Sequence, residues 1–189
     1  MKLKLKPLIT AGFISLPAGM ALAQQPSYFE GGITPEKYYS GGASDSALGD
    51  QNLKTFDTLD FEVFSNQEWD RLQESHADDI VVTWPDGSST VGIERHIADL
   101  KKLFVFAPDT EIKLHPVRIA SGDWTAVAGV MTGTFTEPMP VGDGTFIEPT
   151  GQSFELPMST IAFWQNGEMV HEWLFWDNAT YLKQLGIGN

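Results

Sequence analysis

The residues best placed to do chemistry gather near the C-terminal end. His171-Glu172-Trp173-Leu174-Phe175-Trp176-Asp177 sets one histidine and two carboxylates among large aromatic rings. Side chains alternate along a strand, so His171, Trp173, Phe175 and Asp177 share one face, and Val170, Glu172, Leu174 and Trp176 share the other. If the first face lines a cavity, Asp177 lies among apolar rings. Desolvation would then raise its pKa and make it a general acid or base near neutral pH, with His171 orienting a substrate or sharing the proton. The same residues admit a second reading. Asn178 to Gly186 reads as a short closing helix, which Asp177 would cap at its N-terminus, and His171 would be an ordinary strand residue.

The other aromatic residues point to a ligand. Trp84, Trp124, Phe135, Trp164, Trp173 and Phe175 fall on strands or strand ends, with Thr160 the polar group among them. They are expected to line a pocket for a small hydrophobic molecule. A metal or nucleotide is not expected, and the cofactor expectation is none. His76 with Asp78 and Asp79 has no second ligand cluster at a matching spacing, and no H-x-H or H-x-x-x-H occurs. His96 reads as a boundary residue of a helix, and His115, next to Pro116, as outward-facing. There is no G-x-S-x-G, phosphate loop or dinucleotide fingerprint.

The elements that must hold these residues follow from periodicity. Phe56, Leu59, Val63 and Phe64 recur at helical spacing, and Ser65-Asn66-Gln67-Glu68 resembles a capping box for a helix through Trp69 and Leu72. His76 to Val82 is a strand, ended by Trp84-Pro85-Asp86-Gly87. Ile93, Ile97, Leu100, Leu103 and Phe104 mark an amphipathic helix stopped by Pro108. Strands follow: Thr110 to Ala120, Trp124 to Phe135, Phe154 to Trp164, then a Gln165-Asn166-Gly167 hairpin and Met169 to Trp176. Helices segregated ahead of a meander predict an α+β fold, a curved mixed or antiparallel sheet with helices on one face, forming a cone.

Three segments are expected: 1–23, a signal peptide; 24–54, a Gly/Ser/Tyr-rich extended arm; and 55–189, the cone domain. Lys2, Lys4 and Lys6, the apolar run to Leu22 and the Ala21-Leu22-Ala23 site carry the first of these. They imply a periplasmic or secreted protein with no membrane insertion after cleavage. Losing the three lysines takes the net charge from −13 to −16, which opposes binding to nucleic acid. With no cysteine in the chain, thiol catalysis is excluded. A homodimer or higher homo-oligomer is expected.

Met131-Thr132-Gly133-Thr134-Phe135, Pro149-Thr150-Gly151-Gln152-Ser153-Phe154, and Asn166-Gly167-Glu168-Met169-Val170-His171-Glu172-Trp173 with Asp177 and Gln184-Leu185-Gly186 occur in order. In this the chain resembles the SnoaL-like polyketide cyclases, from about Phe56 to Gly186. The resemblance implies a nuclear-transport-factor-2-like cone. It also implies a cofactor-independent cyclase or isomerase in which Asp177 moves a proton during an intramolecular aldol closure. The chain departs from that family's pattern at Phe135, where a histidine is common, and at the apolar Ile161 to Trp164. The competing class is a non-catalytic binding protein for a small hydrophobic ligand.

Overall fold

The computed structural model describes residues 43–44 and 46–187. The expected signal peptide and the arm as far as residue 42 lie outside the described residues. The first helix, α1, spans Ala47–Thr58, so regular structure begins ahead of Thr55. Ser46 starts it: its Oγ accepts a hydrogen bond from the Gly49 N–H at 3.0 Å. The helix widens into a π segment at Leu59–Phe64. Leu53, Phe56, Leu59, Val63 and Phe64 are buried along these two segments.

Ser65 does not open a capping box. It ends the π segment, donating its hydroxyl to the Asp60 carbonyl at 2.6 Å and accepting the Ile112 N–H at 2.8 Å. Glu68 pairs instead with Arg71, and Trp69–Glu74 forms a 3-10 turn rather than an α-helix. The second α-helix, α2 (Ile93–Phe106), buries His96, Leu100, Phe104 and Phe106, as the apolar spacing predicts.

The strands are β1 (Ala43–Ser44), β2 (His76–Thr83), β3 (Ser89–Val91), β4 (Glu111–Ile112), β5 (Val117–Ser121), β6 (Trp124–Thr134), β7 (Met139–Gly142), β8 (Thr145–Ile147), β9 (Ser153–Gln165) and β10 (Glu168–Trp176). The expected strand from Thr110 to Ala120 is therefore two short ones, parted around Pro116, which cannot donate to a ladder. The curved, unclosed main sheet runs β1-β5-β6-β9-β10-β2-β3, with β4 also on β6. β6 and β9 form its long antiparallel spine, and β10 pairs antiparallel with β9 and parallel with β2. Asn166 (φ 54°) and Gly167 (φ 86°) turn the β9–β10 hairpin, both in the left-handed region that such a two-residue turn requires.

The helices cover one face of this sheet. On that face β9 presents Leu156, Thr160, Ala162 and Trp164, and β6 presents Val127 and Met131. Trp164 is bonded through its Nε1–H to Thr125 Oγ1 at 2.9 Å. The opposite face carries a ladder of rings: His171 on Trp173 (centroids 3.6 Å apart), Trp173 on Trp124 (5.7 Å) and Trp124 on Phe163 (4.8 Å). The Trp124–Phe163 contact is a cross-strand pair, of the kind that stabilises a sheet. A last helix, α3 (Asn178–Gln184), returns across the sheet and packs Tyr181 edge-on against Phe154, 5.0 Å between ring centroids.

Candidate active site: a buried glutamate and two histidines in an apolar cavity

Between the helices and the sheet lies a cavity. Most of its wall is apolar, including Phe56, Leu59, Leu100, Met131, Leu174 and Trp176; its ionisable residues are Asp60, His76, His96 and Glu172. β10 is therefore inserted with the opposite parity to the one expected. Glu172, Leu174 and Trp176 face the cavity, while His171, Trp173 and Phe175 lie on the outer face. The helix-covered face already holds Ile80, Val82, Leu156 and Trp164. Turning Leu174 into it adds to that core, and the displaced aromatic residues satisfy one another in the outer ladder.

Glu172 is 3% exposed, His76 2% and His96 3%. Glu172 Oε1 lies 3.0 Å from His96 Nε2 and 3.8 Å from His76 Nε2. A bulge makes this possible. Met169 pairs with His76, yet His171 pairs with Val81, so β2 runs ahead of β10 and its first residue is left near Glu172. Bulges commonly re-aim side chains at sites of this kind. Burial alone would push the Glu172 carboxyl up. The facing imidazoles, His96 foremost and then His76, outweigh it and hold the carboxyl well below the usual carboxylate range. His76 is fixed from behind: its Nδ1 lies 2.9 Å from Ser75 Oγ and 3.3 Å from the Leu72 carbonyl.

Asp60 reaches the same cavity from the π segment, a distortion often found at functional sites. Its Oδ2 accepts from His115 Nε2 at 2.8 Å, and Asp57 Oδ1 meets His115 Nδ1 at 2.8 Å. Arg118 in turn pairs with Asp57 at 2.6 Å. His115 is thus buried rather than outward-facing, because two carboxylates clamp it. Burial draws its pKa down, and the hydrogen bonds from Asp57 and Asp60 more than offset that, leaving it raised.

Asp177 is outside the cavity. It is exposed and caps α3: Oδ1 accepts the Ala179 N–H at 2.9 Å, and Oδ2 accepts the Thr180 hydroxyl at 2.7 Å. The Thr180 bond, with help from the backbone of Thr180 and Ala179, lowers its pKa. The expected elevation by surrounding rings is corrected, since a capped, solvated carboxylate is stabilised in its charged form. Asp177 instead borders an open groove with Pro157, Ser159 and Phe175. His171 stacks on Trp173, and its Nε2 lies 3.1 Å from Thr83 Oγ1; partial burial lowers its pKa, offset in part by Glu172.

Of the expected pocket residues, Trp84 and Thr160 line the cavity. Phe135 and Trp164 are fully buried core residues and are not among its lining. Trp124, Trp173 and Phe175 lie on the outer face. Glu172, His76, His96 and Asp60 were not singled out for the site. One signal was available: Glu172 is the only charged residue between Val170 and Trp176 on an otherwise apolar strand face, and His96 shares the apolar face of α2.

A family model described as SnoaL-like polyketide cyclase matches residues 56–185. The chain belongs to this family. Among solved structures, this SnoaL-like chain is similar to a protein described as a SnoaL-like polyketide cyclase from Jannaschia sp. CCS1. The two share 22% identity and a TM-score of 0.67, over 78% of this chain and all of that one. It is also similar to IdmH of Streptomyces antibioticus, described as a polyketide cyclase. Here identity is 26% and the TM-score 0.61, over 72% of this chain and 99% of the other. A ketosteroid isomerase-like fold from Catenulispora acidiphila, solved with trimethylamine, aligns at 16% identity and TM-score 0.52, over 66% and 87%. No curated protein matches the chain. The curved sheet with helices on one face is thus the cone fold that the sequence predicts, and the family supports a cyclase- or isomerase-type function.

The shifted groups fix how the stability of this SnoaL-like protein depends on pH. Glu172 and Asp177 have depressed pKa values, so their contributions are present above the unfolded carboxylate range (about 3.9–4.3) and are lost as pH falls through the folded values. His115 has a raised pKa, so its contribution is complete below about 6.5 and is lost as pH rises through the folded value. Urea midpoints measured across pH are expected to peak between these ranges. His115→Gln should remove the alkaline decline attributable to His115 and leave the acid limb in place. An alkaline limb unchanged in that variant would contradict the assignment.

Proposed function

We propose that this chain is an exported cyclase- or isomerase-type enzyme acting on a small apolar, polyketide-like carbonyl compound held in the cavity. The observation that carries this reading is a glutamate with two histidines buried in the wall of an apolar cavity, in a chain of the SnoaL-like family. In this reading His96 and His76, backed by Glu172, form an electrophilic pole. They stabilise negative charge developing on the substrate oxygen, where a low-dielectric setting strengthens the interaction. Asp60, reaching the cavity from the helix layer, is the carboxylate that moves the proton. The acid–base role thereby passes from Asp177 and His171 to residues inside the cavity.

The exposed apolar residues of the outer face, among them Ile119, Trp124 and Ile161, support a homodimer formed through the sheet. The N-terminal Lys-rich and apolar run supports export. Protein recovered from the periplasm or medium should have an intact mass beginning at Gln24, and light scattering should give twice the protomer mass. A mass retaining Met1 in exported protein, or a monomer at micromolar concentration, would count against the respective half of this statement.

One observation favours a second reading, a non-catalytic binder of a small hydrophobic ligand: the carboxylate that the family resemblance marks as acid/base, Asp177, is a cap outside the cavity. An aromatic β-keto ester of the polyketide type separates the two. The enzyme reading expects cyclised or isomerised product by NMR. It also expects Asp60→Asn and His96→Gln each to lose turnover by about 10²–10⁴-fold, while Asp177→Asn retains it. Saturable binding without turnover would establish the binder instead, and loss of turnover in Asp177→Asn alone would return the chemistry to the outer groove.

A further inference from the structure

We infer that His76, His96 and Glu172 form a site for one divalent transition-metal ion of the zinc class, an inference that rests on the reading of this cluster as the electrophilic pole. The three side chains come from β2, α2 and β10, and their ligand atoms lie within 4.8 Å of one another. Two ligand atoms that share a tetrahedral ion at the usual distance of about 2.0–2.1 Å stand about 3.3 Å apart. The Glu172–His96 and Glu172–His76 separations of 3.0 and 3.8 Å bracket that spacing.

The hydrogen-bond inventory points the same way independently. Glu172 Oε1 and His76 Nε2 are buried, face each other, and have no hydrogen-bond partner among the described residues. Two of the three proposed ligand atoms are thus without partners, and on the third residue, His96, the unpartnered atom is Nδ1. On the far side of the ring, His76 Nδ1 lies against the Leu72 carbonyl, which only accepts. With the hydrogen on Nδ1, Nε2 presents a lone pair to the carboxylate. The contact from Nδ1 to Ser75 and Leu72 is also the kind of outer-shell support that orients a ligating histidine.

The donor set selects the ion. Two imidazoles and one carboxylate suit zinc, cobalt, nickel or ferrous iron, and not the oxygen cages preferred by calcium and magnesium. Three protein ligands would leave a fourth position, as in catalytic zinc sites, in a cluster that lines the cavity. An oxygen atom of a bound carbonyl compound would occupy it. The bound ion would supply Lewis-acid polarisation of that oxygen, and Asp60, held by His115, would remain free to move a proton.

The test uses the whole exported chain, stripped with a chelator and titrated with Zn²⁺ by calorimetry and with Co²⁺ by visible absorption. One ion per chain is expected, with the visible bands of four-coordinate Co²⁺. Glu172→Gln and the double variant His76→Gln/His96→Gln should weaken binding by more than the roughly 10–100-fold that outer-shell partners supply, and Ser75→Ala by an amount within that range. His171→Gln, on the outer face, should change nothing. Absence of saturable binding, or binding undiminished in the double variant, overturns the inference. Should the variants fail to fold, anomalous scattering at the zinc edge from wild-type crystals grown with Zn²⁺ decides: a peak among His76, His96 and Glu172 supports the site, and a peak elsewhere or none refutes it. Turnover in protein shown to hold no metal would overturn the metal and leave the proposed function standing.

Discussion

A carboxylate ionised inside an apolar wall must be compensated, and much of this structure answers to that constraint at Glu172. Removing one partner from a buried charged pair typically costs about 3–5 kcal/mol, so the elements that deliver His76 and His96 cannot drift. The bulge between β2 and β10 places His76, and helix α2 places His96. The same arrangement gives the cavity its polarity, apolar along most of its wall and charged at one pole.

The second ionisable group, Asp57–His115–Asp60, works by the opposite logic. There a histidine is the buried charge and two carboxylates compensate it, each at 2.8 Å. One arm of that clamp, Asp60, also lines the cavity. The cavity therefore meets two environments that push proton affinities apart: a carboxyl held low by imidazoles, and an imidazole held high by carboxylates. Both shifts stabilise the charged forms of their groups.

What could be read from the sequence was local, and what could not was long-range. The Asn166-Gly167 turn, the amphipathic period of α2 and the strand runs from Trp124, Phe154 and Met169 encode their own geometry over a few residues, and each appears where expected. The parity of β10 does not. Both of its faces are rich in large apolar side chains, so alternation says which residues share a face but not which face the helices cover. The parallel pairing of β10 with β2 joins distant segments, and no spacing rule reveals that His76 starts opposite Met169. His115 looked exposed beside Pro116, because its two aspartates lie more than fifty residues away in the chain. Asp177 satisfied both readings of its sequence context, and the two hydrogen bonds of the cap settle its placement outside the cavity.

The central claim is that ligand chemistry takes place in the helix-covered cavity and not at the outer groove beside Asp177. The chain has four histidines, His76 and His96 at the cavity and His171 on the outer face, so imidazole NMR during titration with an aromatic β-keto ester reads the location directly. The account predicts saturable shifts at His96 and His76 with His171 unmoved. Shifts confined to His171, with His96 and His76 unchanged, would contradict it.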